Sequence, residues 1–203
     1  MTIDYPLDDK KLNFHPLNIF VSFLLVGLSM LFLALTVAYV YSRVQHQIPP
    51  IKIPFIFVLN TFLLVFCSFL LNQAKKAFEV DNSKSFQVNL LGALFLSIIF
   101  LIAQYFGWKQ LYAQNITINY STTASYVFVI SILHFAHVIG GIPFLFVFTL
   151  KSFTKLKEPI SVLIFFSDPY KRLQLKLLMK YWHFLDFLWI YLILFLYINY
   201  WLS

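Results

Sequence analysis

Four side chains inside long apolar stretches have types and spacings that could do chemistry: His134, His137, His183 and Asp186. The two histidines of the first stretch are three residues apart, as are His183 and Asp186. Residues at this spacing share one face of a helix. Ionisable groups in apolar segments are costly, and in membrane proteins they often mark ligand sites or proton relays. Which chemistry these four could support depends on how the chain positions them.

The histidines could in principle hold a haem or a metal ion, but their positions disfavour both. A haem with two axial histidines needs one from each of two helices, at equal depth and on opposite sides of the ring. His134 and His137 come from one helix face, and at 1.5 Å per residue His183 differs in depth from His137 by roughly 15 Å. Copper or zinc would need a third ligand at the same level. We therefore expect no catalytic residue and no cofactor or metal ligand in this chain, and we expect the histidines to hydrogen-bond to neighbouring helices or lipid headgroups.

Asp186 is the one carboxylate inside an apolar stretch that is long enough to cross a membrane. One interpretation is an ion pair or hydrogen bond with His183, held near the membrane interface where water is close. The other is a step in a proton relay. A single carboxylate does not make a pathway, and both interpretations stay open from the sequence.

Composition places these residues in a membrane protein. The chain of 203 residues is 61% hydrophobic and 11% charged, whereas a soluble globular chain is about a quarter charged. The single cysteine, Cys67, excludes an intrachain disulfide and a cysteine metal cluster. The net charge of +7 does not indicate nucleic-acid binding, because the basic residues lie in loops between the apolar stretches.

Five apolar stretches are each long enough to cross about 30 Å of hydrocarbon. Helices are expected, because backbone groups in lipid must bond within their own segment. The sequence therefore predicts an all-α, polytopic membrane bundle forming a single domain over residues 1–203. Its spans cover 17–41, 54–72, 86–108, 124–150 and 181–202, and 151–180 is a basic cytoplasmic connection.

The distribution of Lys and Arg predicts the orientation. One side would carry three of them, Arg43, Lys52 and Lys109. The other side would carry the remaining twelve: Lys10, Lys11, Lys75, Lys76, Lys84, Lys151, Lys155, Lys157, Lys171, Arg172, Lys176 and Lys180. The positive-inside rule then places the N-terminus inside and the C-terminus outside.

Local signals add detail to the last two spans. Asp168-Pro169 has the pattern of an N-cap followed by proline in the first turn, and it predicts one helix from there to the C-terminus. Residues 160–166 are too short to span and are predicted to lie at the interface. In span four, Ala136 and Gly140 are four apart and Gly141 follows, a spacing that permits close helix packing. Pro143 predicts a kink.

Two stretches carry a family resemblance. Residues 134–141, His-Phe-Ala-His-Val-Ile-Gly-Gly, resemble the His-Gly-Leu-His-Val-Ile-Gly-Gly type motif of subunit III of haem-copper oxidases. Residues 181–189, Tyr-Trp-His-Phe-Leu-Asp-Phe-Leu-Trp, are similar to that family's Tyr-Trp-His-Phe-Val-Asp-Val-Val-Trp segment. The order of the motifs, their separation and the aromatic end at 197–201 also match. The resemblance covers about residues 125–203, and the first three spans match in length and order more than in residue type.

The resemblance implies a five-helix bacterial form of subunit III in the cytoplasmic (inner) membrane. Subunit III of this family binds no haem or copper, which reside in partner subunits, and it packs directly against the catalytic subunit I beside subunit II and other respiratory subunits. It holds phospholipid in a cleft and supports sustained proton uptake during oxygen reduction. Carried over, this makes five residues candidates for lipid or subunit contact: His134, His137, Trp182, His183 and Asp186.

One position departs from the family. Many members carry a glutamate in the helix corresponding to span one, and aligning on Ala38-Tyr39 places Leu28 there. Span one contains no acid, so a role that depends on that carboxylate is in doubt. The electron donor, cytochrome c or quinol, stays open. Alternatives are an accessory protein of nitric oxide reductase, a haem-carrying membrane anchor and a small transporter, although no internal repeat supports the last.

Overall fold

The computed structural model describes residues 15–202, and the regular elements of that range are six helices. They are α1 (Pro16–His46), α2 (Phe55–Glu79), α3 (Ser83–Ala113), α4 (Thr122–Lys155), α5 (Pro159–Ser167) and α6 (Pro169–Trp201). All but α5 are long and apolar enough to cross a membrane, which confirms the five predicted spans. Nearly every helix runs past its predicted apolar window, because backbone hydrogen bonding continues after the chain leaves the hydrocarbon.

Side-chain caps fix where several helices begin. Asp168 accepts a hydrogen bond from the backbone N–H of Tyr170, so α6 begins at Pro169 as predicted. Asn82 and Ser121 cap α3 and α4 in the same way. These caps satisfy N–H groups that have no partner within the helix.

Helix α6 lies at the centre of the bundle and packs against α1, α2 and α4. α2 and α3 form a tight antiparallel hairpin, and α4 packs on α3. The largest fully buried side chains include Trp182 and Trp189 of α6, and the indole of Trp189 packs against Phe57 of α2, Phe100 of α3 and His134 of α4. Within the most apolar windows of the five spans, α1 buries the smallest share of residues and α6 the largest, so α1 is the peripheral helix.

The two ends of the bundle differ in charge. At one end Phe78, Phe86 and Phe148 pack with two phenylalanines of α5, and all the Lys and Arg of the connections there belong to the predicted inner side. At the other end the Arg43 guanidinium donates to the backbone carbonyl of Asn199 at 2.7 Å. Lys10 and Lys11, which also counted toward the predicted orientation, lie outside the described residues. The basic residues of the described connections therefore lie at the two ends of the bundle as the sequence predicts. Which end faces the inside of the cell stays a prediction.

Candidate functional site

The residues of the two motifs meet at the crossing of α4 and α6. A Cβ atom added to Gly141 would lie 2.7 Å from Cε1 of Tyr181 and 3.4 Å from Cζ2 of Trp182. The hydroxyl of Tyr181 donates to the backbone carbonyl of His137 at 2.8 Å. Only glycine permits this approach, because any side chain at position 141 would overlap the tyrosine ring. This hydrogen bond from Tyr181 to the His137 carbonyl joins the two helices, and it fixes the rotation of α6 against α4.

His134 lies seven residues further toward the N-terminus of α4 and is fully buried. Its ring is 4.9 Å from the indole of Trp189 and 5.8 Å from the ring of Phe100, between centroids. Neither ring nitrogen has a hydrogen-bond partner among residues 15–202, and neither does Nε1 of Trp189. Within the described residues His134 therefore packs as one of a set of aromatic rings, and the hydrogen bond to a neighbouring helix that the sequence led us to expect is not made there.

His137 has different surroundings, although it lies only one helical turn away. Its Nδ1 is 2.6 Å from the carbonyl oxygen of Leu133 in its own helix, and its ring meets Phe32 of α1 at 6.1 Å. The side chain is half-buried. The two histidines of this helix face thus contact different helices. His134 packs against α3 and α6, and His137 packs against α1.

His183 and Asp186 do not bond to each other in this structure. His183 Nδ1 is 2.6 Å from the hydroxyl of Ser68 on α2. Neither carboxylate oxygen of Asp186 has a hydrogen-bond partner within the described part of the chain, although Asp186 is only 4% exposed and faces Cys67 and Ser68. Both side chains face α2, where the Ser68 hydroxyl bonds to the imidazole of His183. One hypothesis for Asp186, pairing with His183, is therefore not realised.

The four small or helix-bending residues of α4 have separate roles. Gly141 faces α6, whereas Ala136 and Gly140 are exposed, and a Cβ added to Gly140 would meet nothing within 4 Å. Pro143 is also exposed, and α4 continues through it as one helix. Within this chain the close approach thus depends on Gly141 alone. Close helix packing at Ala136 and Gly140 stays a prediction.

The chain matches no protein-family model. It is 32% identical over 143 residues to the cytochrome bo(3) ubiquinol oxidase subunit 3 of Buchnera aphidicola subsp. Baizongia pistaciae, over 70% of this chain and 68% of that protein. The chain belongs to the subunit III family of haem-copper oxidases. A further relative, the cytochrome c oxidase subunit 3 of Trypanoplasma borreli, is 24% identical over 145 residues. That match covers 70% of this chain and 45% of the relative, so the chain spans less than half of that protein's length.

The family and the five apolar helices together make this subunit III a multi-pass protein of the bacterial inner membrane, as predicted. The position aligned with the family's glutamate, Leu28, is buried on α1, one turn from Phe32. An apolar side chain occupies that place, and the departure seen in the sequence therefore lies at a buried position of α1.

Polar residues that the sequence analysis passed over also join the spans of this subunit III. Asn60 of α2 donates to Gln104 of α3 at 2.9 Å, and both side chains are fully buried. Trp108 Nε1 donates to the hydroxyl of Ser131 at 3.0 Å. The search for charges and histidines missed the amide pair because amides are neutral. An amide in each of two consecutive spans, at similar distances from the same membrane surface, is a signal that could have found it.

Proposed function

We propose that this chain is the non-redox subunit III of a respiratory haem-copper terminal oxidase. The contact that carries the proposal is the one between its two motifs, where Gly141 receives Tyr181 and Trp182. In this arrangement the most distinctive residues of the chain build a helix crossing and leave no open site. A subunit built in this way stabilises and positions its partners and does not itself catalyse oxygen reduction.

The surroundings of the histidines support a chain without redox ligands. His134 is enclosed by the rings of Phe100 and Trp189, and His137 and His183 have their Nδ1 atoms directed at a backbone carbonyl and a serine. Within residues 15–202 no group of three or more His, Cys, Asp or Glu could hold a metal ion. Haem and copper are assigned to the partner subunits, and the absence of a cofactor here is an expectation for the spectrum described below.

The proposed partners are subunit I by direct contact, with subunit II and other respiratory subunits beside it. Ala136 and Gly140 are small, exposed residues one turn apart on α4, and they are our candidates for contact with a helix of subunit I. Structural phospholipid, support of proton uptake and the inside position of the N-terminus belong to the same proposal. His183, bonded to Ser68, and the neighbouring Asp186 are the polar groups that we assign to its inner half.

A pull-down of the tagged chain from native membranes, with a visible spectrum and mass spectrometry of the eluate, tests the proposal. We expect haem bands and a large many-helix subunit to co-purify, and we expect the separated chain to be colourless. A chain that comes out alone and coloured would be a cytochrome. A chain that comes out alone and colourless would refute the oxidase assignment. The two relatives are named for different donors, quinol and cytochrome c, so the reductant that turns over the purified complex must be determined separately.

A further inference from the structure

The short helix α5 attaches to the basic end of the bundle by one face only. Phe165 and Phe166 are buried and pack against Phe78 and Phe86, with ring centroids 5.0 Å apart for Phe78 and Phe166. These contacts place α5 beside the turn between α2 and α3. At nine residues α5 is far too short to cross a bilayer.

The opposite face of α5 is apolar and uncovered within the described chain. Ile160 is 74% exposed, and Leu163 and Ile164 are each 64% exposed. Their spacing of three and four residues aligns them in a single stripe along the helix. An aliphatic stripe of this kind is unfavourable in water, so something other than water must cover it.

Basic side chains flank this stripe on both sides in the sequence. Lys155 and Lys157 precede α5 and are exposed, and Arg172 follows it on the first turn of α6 and is exposed as well. Lys171 lies over the ring of Phe165, with Nζ 5.9 Å from the ring centroid. Two acids lie among these cations, the exposed Glu158 immediately before α5 and Asp168, which caps α6, and the four basic residues outnumber them. The surroundings of the stripe are therefore cationic.

We propose that α5 is an interfacial anchor that binds anionic phospholipid. The stripe of Ile160, Leu163 and Ile164 inserts at the acyl boundary, and Lys155, Lys157 and Arg172 hold the negative headgroups. An apolar stripe bordered by cations is the pattern of helices that lie in the membrane interface. A protein partner is less suited to the stripe, because a stable protein contact buries about 800 Å² on each side and three side chains offer much less. The five spans already hold this end of the chain at the membrane surface, so the inference does not depend on the oxidase assignment.

Depth measurements on the full chain in nanodiscs test the apolar half of the proposal. A spin label at Leu163→Cys is compared with one at Asp81→Cys, on the α2–α3 turn, and one at Phe62→Cys, on the outward face of α2. The native chain serves as the labelling blank, because Cys67 is fully buried. We expect the label at 163 to collide with dissolved oxygen more than with a water-soluble nickel complex, as the label at 62 does. Nickel accessibility equal to that at 81 would overturn the proposal, as would protection that arises only when other oxidase subunits are added.

Lipid selectivity tests the charged half. Native mass spectrometry of the full chain would compare retention of phosphatidylglycerol and phosphatidylcholine for Lys155→Gln/Lys157→Gln and for a matched control, Lys52→Gln/Lys109→Gln, whose two exposed lysines lie at the other end. Each basic residue at an anionic surface is worth about a factor of five in affinity. We therefore expect the first variant to lose about 25-fold in preference for the anionic lipid and the control to lose less than about twofold. Equal losses in both variants, or no loss in either, would overturn the proposal.

Discussion

The contact at Gly141 allows a matched pair of substitutions to test the packing of α4 on α6. In Gly141→Ala the new methyl group would lie 2.7 Å from Cε1 of Tyr181, whereas ordinary contact begins at 3.4 Å. The tyrosine ring or the whole helix must therefore move by 0.3 Å to reach the shortest contact that real Cβ atoms show, and by 0.7 Å to reach ordinary contact. In Gly140→Ala, one residue earlier, the methyl group would meet nothing within 4 Å.

Gly141→Ala has two destabilising effects, overpacking and a lost hydrogen bond, and one stabilising effect, a higher helix propensity. Overpacking of a close contact costs about 1–3 kcal/mol. If the ring shift breaks the bond from Tyr181 to the carbonyl of His137, about 1 kcal/mol more is lost. Alanine in place of glycine returns about 1 kcal/mol through helix propensity. We expect Gly141→Ala to lower the free energy of unfolding by about 1–3 kcal/mol and Gly140→Ala to leave it unchanged or raise it slightly.

Cys67 supplies the assay. It is the single cysteine of the chain and is fully buried, so a thiol-reactive fluorescent dye reports the fraction unfolded as the detergent-solubilised chain is heated. A lower midpoint temperature for Gly141→Ala, with Gly140→Ala at or above the native value, is the expected result. Equal midpoints for the two variants would refute the close approach of α4 to Tyr181.

Three further predictions use the same thermal assay. Asn60→Leu should lower the free energy of unfolding by about 1–2 kcal/mol, because it leaves Gln104 buried without its partner. Adding Gln104→Leu should restore part of that loss, and additive losses would show that the two amides are not coupled. Arg43→Gln should cost about 1–2 kcal/mol through the loss of its bonds to the carbonyl and side-chain oxygens of Asn199, with Arg43→Lys intermediate. No change in stability would show that α1 and α6 are not joined at this end. Asp186→Asn keeps the shape of a buried side chain whose oxygens have no partner among residues 15–202, and it removes the possibility of an uncompensated charge. Stability should be unchanged or higher, and a fall in oxidase turnover at normal stability would favour the proton-relay hypothesis.

Sequence periodicity and composition were sufficient for the five spans, because apolar length is imposed directly by the thickness of the bilayer. The start of α6 at Pro169 was also predictable, since the Asp-Pro signal acts within a few residues. Helix ends inside water were not predictable to the same accuracy. α4, for example, continues five residues beyond the predicted edge at 150 to reach Lys155.

The partners of the polar side chains could not be read from the sequence. Spacing placed His134 and His137 on one face of α4, yet neighbouring helices on either side of that face divide them. Spacing also placed His183 and Asp186 on one face of α6, yet the imidazole of His183 hydrogen-bonds to Ser68 of α2 and not to Asp186. Which of Gly140 and Gly141 receives another helix also depends on the rotation of α4, and a shift of one residue turns the helix by 100°.

The attachment of α1 shows how polar contacts can replace burial in a membrane bundle. Between helices in lipid there is no hydrophobic driving force, so packing and hydrogen bonds must hold a peripheral helix. α1 buries the smallest share of its residues of the five spans, yet it bonds to α6 at three depths. The Lys180 ammonium donates to Ser22 at 2.6 Å near one end, the hydroxyls of Thr36 and Tyr191 are 2.8 Å apart farther along, and Arg43 reaches Asn199 at the other end.

These three contacts imply that α1 is held in register along its whole length although most of its surface stays open. A helix held in this way can present its exposed face to lipid or to a partner subunit without depending on that neighbour for its position. The tight packing of α4 on α6 and the polar attachment of α1 to α6 are therefore two solutions to one problem. Both position a helix against α6 in a solvent where apolar surface gains nothing from being buried.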